Sequence, residues 1–390
     1  MKKILIYDDE TRARNNYKNM LVNIKCVSDP FEIDVIDNEK FKHEIALLEK
    51  RRKILRKEKC WDESSIFDNV DILIVDYDLL RAFNYESYTT GEIIAYLVRC
   101  FSTCGLIVGL NQYGNNLFDL TLKGHLESYC DLNIGNKQLD NTGLWSNDFK
   151  EFRPWYWPNL INFLNSYNER VNEVLDNWDS PICEVLNFDE VLPLFSRNIT
   201  DFLKINPEKI TFREFVLKTK NGLRGTKDKY TTNEMVARIG VARISKWIER
   251  WILPGQNILI DAPHLLSRYP SLLNGDVNKI DDWNNSVFMD DYKKIKIRHN
   301  KIDSFRYKND KWISRPVWYW EQISNCSDID EVEKPWERKE TGFVFCEDVS
   351  KFYEINSCKG FVIDSDSPFI RRYVKKIGGV DYQPINRIIS

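Results

Sequence analysis

The sequence predicts an α/β fold for the N-terminal third, with helices flanking a parallel sheet, followed by an α+β C-terminal region. First, short apolar segments alternate with helical patterns over about 140 residues, which is typical of parallel strands joined by right-handed crossovers. Second, the first and third of these apolar segments run directly into aspartates. Third, turn-forming and aromatic residues replace the alternation near residue 140. These changes predict a domain of residues 1–140 and an aromatic connector at 141–158.

Each element of the first domain has its own pattern. Strands are predicted at 3–8, 31–36, 71–75, 105–110 and 130–134, where apolar and β-branched residues cluster. Helices are predicted at 11–25, 39–59, 91–100 and 117–129. In the region 159–390, helical patterns extend to residue 252, and Pro254-Gly255 suggests a further boundary near 254. Beyond it, we expect strands at 258–260, 342–346 and 360–363 and a helix near 367–377.

Composition narrows the class of protein. The chain has 390 residues, of which 43% are hydrophobic and 29% charged, as in globular proteins. A net charge of -3 argues against a surface built for non-specific nucleic-acid binding, although a local basic groove is compatible with it. The start of the chain does not resemble a signal peptide, and no stretch approaches the ~20 apolar residues of a spanning helix. We expect a cytoplasmic protein without a membrane partner, whose nine cysteines are mostly buried, reduced thiols.

Three carboxylates follow predicted strands. Asp8 and Asp9 follow the first strand, and Asp76 follows the third. Because the carboxyl ends of parallel strands meet at one edge of a sheet, we expect these side chains to converge there. Oxygen ligands suit Mg²⁺, and the cation would offset the repulsion between the carboxylates. The sequence therefore predicts a magnesium site, with strand-end capping in an unrelated α/β domain as the alternative.

At these positions the chain resembles the receiver domain of two-component response regulators, over residues 1–140 only. The resemblance rests on Asp8-Asp9-Glu10, on Ile74-Val75-Asp76-Tyr77-Asp78-Leu79 and on Thr90-Gly91-Glu92. It implies a flavodoxin-like fold in which Asp8 and Asp9 bind Mg²⁺. It also implies that Asp76 contributes to the metal site and accepts a phosphoryl group from a histidine kinase, and that the carbonyl of Asp78 is a further ligand.

The chain departs from the receiver pattern at two positions. The family has Ser or Thr at the end of the fourth strand, where this chain has Asn111. It has Lys-Pro after the fifth strand, where Lys137 is only an approximate substitute. Two forms of the domain follow from the resemblance: a phosphorylated receiver, or a degenerate one that docks or senses another signalling protein.

The C-terminal region contains a second group of candidate residues. Asp261 and His264 follow a predicted strand, and Asp364 and Asp366 follow another. Together they could form a metal-dependent hydrolase site, whereas turn formation and packing are the structural alternative. Two aromatic segments, Arg153-Pro154-Trp155-Tyr156-Trp157 and Arg315-Pro316-Val317-Trp318-Tyr319-Trp320, resemble each other. They suggest matching packing elements or a surface that stacks bases.

Two functions follow from these patterns. In the first, the protein is response-regulator-like, and its receiver-like domain controls a C-terminal output region of unknown activity. In the second, the C-terminal region is a metal-dependent effector enzyme that acts on nucleic acid or nucleotide, as in bacterial stress or phage defence. The basic helix predicted at 39–59 is either a solvated face or a docking patch for an acidic partner or nucleic acid. The sequence does not specify an oligomeric state.

Overall fold

The structure is a computed structural model of the chain. It describes residues 1–56, 63–79, 89–111, 128–146, 152–155, 157–204, 206–219, 222–223, 231–287, 297–298, 302–329, 342–362 and 369–375.

The N-terminal part is built on a parallel sheet. Within the described residues the sheet has five strands in the order β2-β1-β3-β4-β5, consistent with a flavodoxin-like fold. Every residue of β3 and β4 is buried, which explains why these strands are continuous apolar runs in the sequence. The strands are β1 (Lys2–Tyr7), β2 (Phe31–Val35), β3 (Ile72–Asp76), β4 (Leu106–Asn111) and β5 (Leu132–Gly135).

Helices flank this sheet and connect its strands. They are α1 (Thr11–Val22), α2 (Lys25–Ser28), α3 (Asn38–Arg56) and α4 (Gly91–Phe101). At the start of α4, a Cβ atom on Gly91 would lie 2.7 Å from the carbonyl oxygen of Asp76, so a glycine is needed for α4 to begin this close to β3. Most of the helix expected at 117–129 lies outside the described residues.

The first part of the C-terminal region is helical, as the sequence predicted. Its principal helices, α5 and α9, pack against each other, and α9 also contacts α4. After α9 the chain continues as a wider, π-type turn over Ile248–Ile252. The helices are α5 (Leu160–Asp176), α6 (Ile182–Val185), α7 (Arg197–Thr200), α8 (Phe212–Lys218), α9 (Asn233–Trp247) and α10 (Leu253–Gly255).

The rest of the region adds two small sheets. Strand β6 (Leu259–Asp261) pairs antiparallel with β7 (Val317–Tyr319). A second sheet, in the order β10-β11-β8-β9, contains β8 (Phe343–Cys346), β9 (Lys351–Glu354), β10 (Lys359–Val362) and β11 (Arg371–Val374). The accompanying helices are α11 (Ala262–Arg268), α12 (Ile280–Ser286) and α13 (Trp320–Ser324).

The prediction of a helix near 367–377 is wrong. Residues 371–374 form strand β11, which pairs antiparallel with β10 and parallel with β8. Pairing with two strands that lie elsewhere in the sequence decides the conformation of this short segment, which is too short for a local helical pattern to be informative.

The apolar core is continuous between the N-terminal sheet and the C-terminal helices. At their interface, Arg99 of α4 forms a buried 2.5 Å ion pair with Asp131, and its guanidinium also donates to the hydroxyl of Tyr167 on α5. The connector contributes to this core, because Trp155 and Trp157 are buried. No helix in the described ranges has the length and apolar character needed to cross a bilayer.

Candidate functional site

The acidic pocket lies at the carboxyl edge of the parallel sheet. Strands β1 and β3 are neighbours, and their register places Tyr7 opposite Val75. The following residues, Asp8 and Asp76, therefore lie side by side at the strand ends. Both are buried, at 5% and 7% exposure respectively. The structure thus brings together the two strand ends that the sequence predicted would meet.

Burial and like charge act together on these carboxyl groups. The pKa of Asp76 is raised to about 8, first by burial and then by the nearby charges of Asp8 and Asp9. The pKa of Asp8 is raised to about 6, again mainly by burial, with Asp9 adding to the effect. Among the described residues, neither Asp8 nor Asp76 forms an ion pair with a basic side chain. A cation entering the pocket would relieve this repulsion.

Hydrogen bonds fix the backbone around the pocket. The N–H of Glu10 donates to Asp8 Oδ1 at 2.7 Å, and Arg14 Nη1 donates to the carbonyl oxygen of Asp8 at 2.6 Å. The side-chain amide of Asn38 donates to the carbonyl oxygen of Asp9 at 3.3 Å. The loop that carries the acidic pair is therefore tied to both α1 and α3.

Sequence reasoning missed Arg14, Asn38 and Tyr17 as neighbours of the pocket. Tyr17 is buried on α1, and its pKa is raised to about 12 by burial and, to a lesser degree, by the charges of Asp8 and Asp76. Its hydroxyl accepts a hydrogen bond from Asn136 Nδ2 at 3.4 Å. The sequence shows an Arg and a Tyr on the helix that follows the acidic pair. Their position beside the pocket can be recognised only once the packing of α1 is known.

The carboxylates do not form a complete metal site in their present positions. In the ranges that the structure describes, no three His, Cys, Asp or Glu side chains are arranged closely enough to hold an ion. Their chemistry nevertheless suits Mg²⁺, which takes oxygen ligands and retains several waters. The Mg²⁺ site stays a prediction, and ligands from Asp8, Asp9 and Asp76 would have to move together on binding.

The phosphoacceptor candidate, Asp76, also makes local contacts. The N–H of Asp78 donates to Asp76 Oδ2 at 3.2 Å, and Asp78 pairs with Thr90 in an isolated bridge. Thr90 is the residue that precedes α4. The positive end of the α4 dipole therefore lies beside the carboxyl edge of β3, where it favours negative charge.

Asn111 and Lys137, the two residues that depart from the receiver pattern, lie in different surroundings. Asn111 is the last residue of β4, is buried and pairs in register with Gly135, so it lies at the same edge as Asp76. Lys137 lies in a short 3-10 turn directly after β5 and is exposed. No ion pair joins Lys137 to Asp76 within the described residues.

In the C-terminal region, Asp261 and His264 are in direct contact. The Nδ1 atom of His264 lies 2.6 Å from Asp261 Oδ1, and the carboxylate also accepts from the indole N–H of Trp155. On the other side of the ring, Nε2 contacts the guanidinium of Arg372, which is paired with Glu347 at 3.1 Å. We call these four charged or titratable residues, Asp261, His264, Arg372 and Glu347, the buried relay.

The electrostatics of the buried relay favour a neutral imidazole. Burial and the charge of Arg372 lower the pKa of His264, although Asp261 opposes them. Although burial alone would raise it, His264 and Arg315 hold the pKa of Asp261 below its usual value. With Nδ1–H donating to Asp261 and Nε2 accepting from Arg372, both ring nitrogens are used within the protein. A metal ion could bind His264 only by displacing one of these partners.

The cavity beside the buried relay is more typical of a packed interior than of an enzyme site. A cavity of about 40 Å³ beside His264 is lined by Ser267, Phe345 and Arg371, among others, and it has room for ordered water but not for a nucleotide. Asp364 and Asp366, predicted to join a hydrolase site, lie outside the described residues. The hydrolase alternative therefore stays a prediction.

The related aromatic segments contact each other. Trp155 and Trp318 are buried, and the guanidinium of Arg315 lies 4.9 Å from the centroid of the Trp155 ring. In the basic helix α3, Arg51 is also buried and is paired with Asp68 at 2.7 Å. These Trp side chains and Arg51 are therefore not available to stack or bind nucleic acid at the surface.

No family model matches the chain, and no curated protein or solved structure is significantly similar to it.

Proposed function

We propose that this chain is a response-regulator-like signalling protein. Its N-terminal domain binds Mg²⁺ and accepts a phosphoryl group on Asp76, and thereby regulates the C-terminal region. One observation carries the proposal: Asp8 and Asp76 adjoin at the carboxyl edge of β1 and β3, buried and without an ion pair to a basic side chain among the described residues. Buried like charges destabilise a fold, and such perturbed groups are concentrated at functional sites.

The arrangement suits phosphoryl transfer. A carboxylate oxygen of Asp76 would attack the phosphorus of a phosphohistidine or an acyl phosphate, and the bond from phosphorus to the donor would break. Mg²⁺ held by Asp8, Asp9, Asp76 and the carbonyl of Asp78 would neutralise charge on the transferred group. Because the pKa of Asp76 is about 8, this carboxyl group is mostly protonated at pH 7 without a cation. Cation binding would therefore release a proton and generate the nucleophile.

A chain of contacts leads from this pocket to the C-terminal helices. Gly91 lies against the backbone of Asp76, and the carboxylate of the next residue, Glu92, accepts from the Ser128 hydroxyl and from the N–H of Tyr129. The carbonyl oxygen of Ser128 in turn accepts from Arg243 Nη1 at 2.7 Å and from Lys246 Nζ at 3.0 Å. Both basic residues belong to α9, so a shift of α4 on phosphorylation would change the contacts that α9 makes with Ser128.

The test is chemical phosphorylation of the full chain. Acetyl phosphate with Mg²⁺ should add one labile phosphate, detected by intact mass, and EDTA should abolish the adduct. The adduct should be lost in Asp76→Asn. It should persist in Asp71→Asn, a matched control, because Asp71 directly precedes β3, at the edge of the sheet opposite the pocket, where it accepts from the N–H of Lys3. A wild-type protein that gains no phosphate, or an adduct that survives Asp76→Asn, would contradict the proposal.

A further inference from the structure

Two cysteine side chains meet in the second small sheet. Cys346 is the last residue of β8, and Cys358 directly precedes β10. Their Sγ atoms are 3.2 Å apart, and both are free thiols. An approach of about 1 Å would bring the two sulfurs to bonding distance.

The two thiols differ in exposure. Cys346 is fully buried, whereas Cys358 is partly exposed. The Sγ of Cys346 donates to that of Cys358, and the ammonium group of Lys375 lies near, donating to the carbonyl oxygen of Ser357 at 3.2 Å. The sulfur of the partly exposed Cys358 therefore contacts a second sulfur, that of Cys346, which is buried.

The surroundings of Cys358 favour its thiolate. The hydrogen bond from Cys346 lowers its pKa most, and Ser357 and Lys375 add to this effect. Burial and the charge of Asp348 act in the opposite direction, but the net effect is a pKa below the usual value of a thiol. The thiolate is the reactive form of cysteine, so this side chain combines reactivity with access.

A metal site does not account for the pair. Structural zinc takes four ligands from Cys, His and carboxylate groups. In the described part of the chain, no third His, Cys, Asp or Glu is arranged to complete such a group. Two adjoining sulfurs, one exposed and one buried, instead match the needs of reversible oxidation.

We propose that Cys358 is a hydroperoxide-reactive thiol and that Cys346 is its resolving partner. The Cys358 thiolate attacks the terminal oxygen of the hydroperoxide, the O–O bond breaks, and the alcohol or water that leaves takes up a proton. The sulfenic acid formed on Cys358 is then attacked by the sulfur of Cys346, which gives up its proton as a water molecule leaves. The two thiols lose two electrons in total, the hydroperoxide gains them, and a Cys346–Cys358 disulfide remains.

The site lies next to the buried relay, and the inference goes beyond the proposed signalling function. The residue after Cys346 is Glu347, whose carboxylate pairs with Arg372. Backbone N–H groups of Arg153 and Trp155 donate to the carbonyl oxygens of Asp348 and Glu347. A disulfide would join the end of β8 to the connection before β10, so oxidation would act on the segment that holds the connector.

The experiment uses the reduced full-length chain. It is treated with substoichiometric hydrogen peroxide, quenched with N-ethylmaleimide and digested without reduction for peptide mapping. We expect a Cys346–Cys358 disulfide to form at least tenfold faster than oxidation of Cys26. Cys26 is the matched control because it is exposed but has a pKa that burial raises.

Two variants separate the roles of the sulfurs. In Cys346→Ser, dimedone should trap a sulfenic acid on Cys358. In Cys358→Ser, the buried Cys346 should stay unmodified. Because Cys346→Ser replaces a core side chain, its fold is checked by circular dichroism, and the wild-type and Cys358→Ser results decide the question if it fails to fold. Oxidation of Cys358 no faster than that of Cys26, or disulfides that leave Cys346 and Cys358 unpaired, would overturn the inference.

Discussion

Replacing Asp76 by Asn should stabilise the metal-free protein, and the gain should grow with pH. Asp76 has its pKa raised from 3.8 to about 8 on folding, so the protonated form is favoured in the native state. The stability associated with this group is fully present below pH 4 and is lost as the pH rises toward 8. A difference of one pKa unit between the folded and unfolded states corresponds to about 1.36 kcal/mol of stability.

The expected size follows from the same shift. At pH 7 the ionisation of Asp76 lowers the free energy of unfolding by roughly 4 kcal/mol relative to pH 4, as an upper bound. An amide at this position is uncharged at every pH and its oxygen can still accept from the N–H of Asp78. For a chain of this length, the gain corresponds to an increase of roughly 5 °C in Tm.

The assay is thermal and urea denaturation of both proteins in EDTA at pH 4, 6, 7 and 8. The wild type and Asp76→Asn should be nearly equal at pH 4, and the difference between them should grow steadily from pH 4 to pH 8, with more than half of it present by pH 6. Asp71→Asn, at the other end of β3, should not show this divergence. A stability difference between wild type and Asp76→Asn that stays constant from pH 4 to pH 8 would refute the electrostatic account of the pocket.

Three other predictions concern the pocket's cation and the buried contacts between the N-terminal sheet and the C-terminal helices, and a fourth concerns the route from the pocket to α9. MgCl₂ should raise the Tm of the wild type and have a much smaller effect on Asp8→Asn, measured by thermal denaturation. Arg99→Met should lower the free energy of unfolding by about 3–5 kcal/mol in urea titrations, because it leaves the buried Asp131 carboxylate without its partner; loss of less than about 1 kcal/mol would contradict this. Lys246 is buried and its pKa is lowered to about 7 by burial and by Arg243, so the contribution of this group to stability falls as the pH drops from 10 to 7. Lys246→Met should therefore gain stability relative to the wild type over that range, opposite in sign to Asp76→Asn. In hydrogen exchange, phosphorylation should alter protection in residues 233–247, and Glu92→Gln should take the adduct while losing that response.

The sheet and the convergence of the acidic residues could be predicted from local sequence patterns. Continuous apolar runs such as 72–75 indicate strands buried on both faces, and intervening helical segments force parallel connections. Once the strands are parallel and β1 adjoins β3, the positions of Asp8 and Asp76 follow from chain direction alone. Their high pKa values could not be predicted, because these depend on how deeply the strand ends are buried.

Features that depend on distant pairing could not be predicted from local patterns. Strand β11 forms because residues 371–374 lie between β8 and β10, and its own sequence is too short to specify a strand. Cys346 and Cys358 are separated by a hairpin and a turn, and only the pairing of four strands brings their sulfurs together. The contact between Arg315 and Trp155 joins positions more than 150 residues apart.

The acidic pocket and the buried relay differ in one physical respect that bears on function. In the buried relay, each charged group has a compensating partner: Asp261 accepts a hydrogen bond from His264, and Arg372 pairs with Glu347. Such a group compensates its own desolvation, and removing one member should destabilise the fold. In the acidic pocket, by contrast, the nearby charges of the described residues are mostly of the same sign, and the pKa of Asp76 moves toward neutrality. A fold gains no stability from that arrangement, and replacing the carboxyl group by an amide would remove the penalty. This difference favours the acidic pocket over the buried relay as the site of the proposed phosphoryl transfer and is consistent with a structural role for the buried relay.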